Sequence, residues 1–176
     1  MMKAAPMDAR QAVKSILLGG LTAGVLDIAY AMIAAMSAGR SPARPVQAVA
    51  SGLLGATAFD AGSVSFALGM FLHLSIACSA AAVYFLASTR IALLREKVFP
   101  PGAIFGVLVY LVMNFVVLPL SAVPFNLSYP PRVLIVGLLV HIFLVGVPIA
   151  YFVQRGWAGG VRPAPRRSVS PGSITL

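Results

Sequence analysis

The chain has 176 residues, of which 60% are apolar and only 10% charged. That is beyond what a soluble domain of this size could bury, so the solvent it is built for is lipid. Its formal charge of +9 forms no basic stripe interleaved with aromatics, which argues against a nucleic-acid partner, and its single cysteine, Cys78, excludes a disulfide framework or a thiolate cluster.

A transmembrane helix needs about 20 mostly apolar residues to cross the hydrocarbon of a bilayer. Residues 1–14, which hold Lys3, Arg10 and Lys14, read as a cytoplasmic N-terminal segment. The 25 residues between Lys14 and Arg40 carry Asp27 as their only charge and predict a first span over 15–37. Its apolar part is longer than the core of a cleaved signal peptide and contains a carboxylate, so it is expected to stay as a mature helix.

From Pro45 onward, Val46, Val49, Ala50, Leu53 and Leu54 recur at helical spacing and predict a short helix over 45–59. At about 1.5 Å per residue this segment is too short to cross the bilayer, and it is expected to be interfacial or re-entrant. The 29 uncharged residues between Asp60 and Arg90 predict a second span over 65–88. A third, over 101–122, opens on Pro100 and Pro101 and is closed by Pro124. The 22 residues between Arg132 and Arg155 predict a fourth over 132–154, with Pro119 and Pro148 expected to bend the last two helices.

Residues 155–176 are rich in Pro, Arg, Ser and Gly and are expected to form a disordered basic tail, each arginine drawn to anionic lipid by roughly 1 kcal/mol. Asn126-Leu127-Ser128 matches a glycosylation sequon, which is expected to be coincidental. The fold expected is an all-α membrane protein: a four-transmembrane-helix bundle with an additional short interfacial or re-entrant helix between the first and second spans. No internal repeat suggests the inverted halves of a transporter.

Orientation follows from the loops. One side carries ten basic residues, from Lys3 to Arg167, and the other carries three, Arg40, Arg44 and Arg132. This bias predicts a multi-pass protein of the inner (plasma) membrane with both termini cytoplasmic.

Each span holds one strongly polar side chain away from its ends: Asp27, His73, Asn114 and His141. Ionisable groups at membrane depth cost about 2.5 to 3.5 kcal/mol on insertion scales, so they tend to face a bundle interior and mark function. Counted along the helices, His73, Asn114 and His141 lie about 10 to 14 Å below the external face, with Asp27 nearer mid-membrane. Three uses compete: interhelical hydrogen bonds that hold the bundle, a proton or ion relay between carboxylate and imidazoles, and a haem or metal site with His73 and His141 as ligands. No cofactor is predicted, haem being the alternative. HExxH, GxSxG, phosphate-binding glycine loops and acid-base carboxylate pairs are missing, so the chain does not read as an enzyme. Gly20 with Gly24 and Gly102 with Gly106 form GxxxG pairs that let helices approach closely, within the chain or, for Gly20 and Gly24, in a homo-oligomer.

The stretches from Gln47 to Gly55, Ala82 to Ser88 and Tyr110 to Ala122, the last containing Asn114 and Pro119, resemble a family of small bacterial inner-membrane proteins with no assigned function. The likeness covers about residues 15–154. It implies a location and four transmembrane helices, and it brings no site residues with it.

Overall fold

The computed structural model describes residues 7–125 and 130–160. Among the described residues, four helices are long and apolar enough to cross a membrane: α1 (Ala9–Ser37), α3 (Gly62–Arg90), α5 (Pro101–Leu120) and α6 (Pro131–Gly159). Two shorter ones lie between them, α2 (Ala43–Leu54), which a 3-10 stretch extends through Phe59, and the single turn α4 (Leu93–Glu96). The predicted all-α four-helix bundle is the observed fold. The sequon and the tail beyond residue 160 lie outside the described residues.

Helix ends differ from the expected ones where local chemistry carries the chain further. Helix α1 starts at Ala9, well before residue 15, because Asp8 caps it, its Oδ1 accepting from Gln11 N at 2.7 Å. The fourth span continues past residue 154, so the tail does not begin as disorder. Gly156 is buried against Ser15 of α1, and Trp157 donates through Nε1 to Ser88 Oγ at 2.9 Å.

At its other end α1 closes in a Schellman turn. Gly39 adopts φ +69°, Gly39 N donates to Met36 O and Arg40 N to Ala35 O, both at 2.9 Å. Gly55 (φ +62°, ψ −147°) ends the α-helical part of α2 in a positive-φ conformation open almost only to glycine.

Small residues decide which helices touch. Adjacent glycines on α1 serve different neighbours: a Cβ at Gly19 would meet the Ile149 backbone of α6 at 3.4 Å, and one at Gly20 would meet Cys78 Sγ of α3 at 2.9 Å. Gly24 faces Leu74 and Ala77 of α3, so of the two uses open to the Gly20–Gly24 face, packing within the chain is the one seen. On α5, Gly102 and Gly106 lie directly on the backbone of α6 around Gly146. Close approach through glycine is how helices gain packing energy in lipid, which offers no hydrophobic drive between them.

The core gathers toward one end of the bundle. Tyr84 is 1% exposed and packs with Ala23, Ala81, Val145, Ile149, Ala150 and Val153. Its ring meets Phe105 edge-on at 4.9 Å, joining α3 to α5 there, and its hydroxyl donates to Leu94 O at 3.1 Å. Toward the opposite end α2 is inserted beside α3 and α5: the Val46 carbonyl rests on Gly69 of α3, and Ala122 N donates to Gly52 O at 2.9 Å. Large apolar side chains such as Leu120 (83% exposed) and Val64 (72%) stand on the outside, as a lipid-facing surface requires.

Candidate functional site

Helices α5 and α6 share one irregularity, and it explains two of the four polar residues. Proline has no N–H to donate and its ring crowds the carbonyl one turn back. The ladder widens just before each proline: Met113–Val117, ahead of Pro119, and His141–Gly146, ahead of Pro148, are π-helical. Leu118 N then bonds Met113 O, and Val147 N bonds Ile142 O, five residues back. The disturbance expected at these prolines thus takes the form of a local change of register.

Asn114 and His141 sit where the register changes. Asn114 Nδ2 donates to Tyr110 O at 2.9 Å, and His141 Nδ1 bonds Gly137 O, also at 2.9 Å, each reaching one turn back on its own helix. The second bond requires the Nδ1–H tautomer of His141. Its ring lies edge-on to Tyr110 at 5.2 Å, over a gap left open by Gly137. Both bonds brace a helix where its backbone ladder is weakest, and the His141 ring also meets Tyr110 across the α5–α6 seam. Replacing Asn114 by Ala is expected to cost about 0.6 kcal/mol, the average for an intramembrane hydrogen bond, measured by thermal unfolding in detergent. A loss above about 2 kcal/mol would show that Asn114 holds more than its own helix.

Asp27 and His73 form a separate pair across the α1–α3 seam. His73 Nε2 lies 2.9 Å from Gly24 O and 3.8 Å from Asp27 Oδ2, and both side chains are half-buried at 16% and 21% exposure. The absence of a side chain at Gly24 lets α3 come close enough for this bond. With the proton on Nε2 given to the carbonyl, neutral His73 keeps its Nδ1 lone pair, and a second proton would turn the 3.8 Å contact into an ion pair.

The quartet thus divides: Asp27 and His73 meet across the α1–α3 seam, His141 meets Tyr110 across the α5–α6 seam, and Asn114 bonds back along α5. The two-histidine haem or metal alternative gains no support from it. His73 Nε2 faces the Gly24 carbonyl, His141 is held by Nδ1 on the other seam, and among the described residues no three His, Cys, Asp or Glu side chains are grouped to hold a metal ion.

Above the Asp27–His73 pair a cavity of about 680 Å³ opens between α1, α2 and the segment after α5. Its α1 wall is Ala31, Ala34 and Ala35, and Asp27 lies one turn below Ala31 on the same helix face. Arg40 and Arg44 line it as well, residues that sequence reasoning took for topology signals alone. Their spacing of four residues beside an alanine-rich helix end was the signal available.

Four apolar spans closed around such a seam define a multi-pass α-helical membrane protein. Compared with protein-family models, with curated proteins and with solved structures, the chain finds no match, so its own residues carry the functional reading.

Proposed function

We propose that the protein is a small transport or accessory component of a bacterial inner membrane, working through a proton exchanged at Asp27 and His73. The observation that carries this reading is the 3.8 Å approach of Asp27 Oδ2 to His73 Nε2 across two helices, one turn beneath an open cavity. Carboxylate and imidazole side by side at membrane depth are the usual elements of a proton relay. A proton taken up at His73 would make the contact with Asp27 an ion pair across α1 and α3, and giving it up would return a neutral imidazole beside the carboxylate.

The loop charges support an orientation with both termini cytoplasmic, which puts α2 and the cavity at the external face. There α2 lies as an interfacial helix, its apolar side against α3. The reading assigns no catalytic step.

Reconstitution of the whole chain in vesicles loaded with a pH-sensitive dye tests it. Wild type is expected to dissipate an imposed proton gradient, and Asp27→Asn to slow it by about tenfold or more, because an amide cannot exchange the proton. Equal rates for the two proteins would remove Asp27 from any relay.

A further inference from the structure

We propose that the cavity at the α1–α2 turn binds one anionic phospholipid, its phosphate between Arg40 and Arg44 and part of an acyl chain in a second, apolar crevice behind α2. The cavity holds about 680 Å³, and apart from the two arginines its walls are alanine, proline and phenylalanine. The arginines are set by backbone geometry. Arg40 closes the Schellman turn through Ala35 O, and Arg44 N donates to Ser41 O at 3.1 Å in the first turn of α2. The Arg44 guanidinium lies over the Phe59 ring, 4.8 Å from its centre. Stacking there leaves its planar fork of donors to meet a phosphate.

Charge selects the headgroup. Among the described residues, neither Arg40 nor Arg44 has a carboxylate within 4.0 Å, the range of an ion pair. Arg40 and Arg44 are both exposed, and two uncompensated guanidinium groups at the open side of an otherwise apolar cavity favour an anion over a zwitterionic head that brings its own cation.

Shape selects a lipid over a free anion. Behind α2 runs a crevice of about 190 Å³ between α2, α3 and α5, walled by Val49, Leu53, Leu72, Ile76, Met113 and Val117. Ala48 lines both spaces, so they lie against the same turn of α2. A charged head beside an apolar slot matches the two ends of a phospholipid. The proposal does not depend on proton exchange at Asp27.

Native mass spectrometry of the whole chain from a mild neutral detergent tests it, with phosphatidylglycerol, phosphatidylcholine and inorganic phosphate added in separate titrations. Expected are one retained phosphatidylglycerol per chain, weak phosphatidylcholine binding, and no competition from inorganic phosphate at the same concentration. Arg40→Gln and Arg44→Gln are each expected to weaken phosphatidylglycerol binding about tenfold, the loss of one charged hydrogen-bonding partner. Arg132→Gln, outside the cavity on the same side of the bundle, is expected to leave it unchanged. Ala48→Phe, which enlarges the side chain lining both spaces, is expected to weaken it without altering either arginine. All these variants keep the same basic tail, so differences among them report the cavity. Equal retention of phosphatidylcholine, wild-type affinity in both arginine variants, or displacement by inorganic phosphate would each overturn the proposal.

Discussion

Replacing Gly146 with alanine is expected to lower the stability of the folded bundle by about 3 kcal/mol, the upper part of the range for overpacking a close contact. A Cβ at this position would run into the Gly102 carbonyl and approach Gly106 Cα to 2.7 Å. These are backbone atoms that no rotamer change can move. Helices α5 and α6 would have to part, and the Tyr110–His141 ring contact at 5.2 Å would part with them. Gly52→Ala is the matched control, because there the new methyl would meet only the Ser121 side chain, no nearer than an ordinary 3.5 Å. Its stability is expected to stay within about 0.5 kcal/mol of wild type. Unfolding in detergent by heat or by added denaturing surfactant measures both, and equal stability for the two variants would contradict the glycine seam.

Tyr84→Ala is expected to cost a similar amount, about 3 kcal/mol, for a different reason. Tyr84 is 1% exposed, at the centre of the core, and its ring edge on Phe105 joins α3 to α5 at that end of the bundle. Truncation leaves a void among four helices, and in lipid the loss is one of packing contacts. Tyr84→Phe removes only the hydroxyl bond to Leu94 O and is expected to cost about 0.6 kcal/mol. Variants of equal stability would mean that the ring contributes nothing beyond the hydroxyl bond to Leu94 O.

The four spans were legible because uninterrupted apolar length is a one-dimensional property, and the chain states it directly. Their ends were less so. Asp8 caps α1, and Gly156 and Trp157 pack beyond the last apolar run; these are contacts with neighbours that a hydropathy reading does not contain. The polar quartet was found residue by residue, since each member interrupts an apolar span. Its grouping was not. Counting residues gives depth, but convergence also depends on the azimuth around each helix and on which helices adjoin. Gly24 turns His73 toward α1, while the π stretches turn Asn114 and His141 onto their own helices. Arg40 and Arg44 were visible as charges, but the cavity between them required knowing that α2 folds back against α1 and α3.

The placement of α2 has a mechanical consequence. Tyr84 and Phe105 clasp α3 to α5 at one end, while α2 is lodged beside both toward the other, which gives the bundle a pivot and a wedge. The two long helices therefore meet directly at the Tyr84–Phe105 end and only by way of α2 at the other, and the crevice behind α2 is the space left where they stay apart.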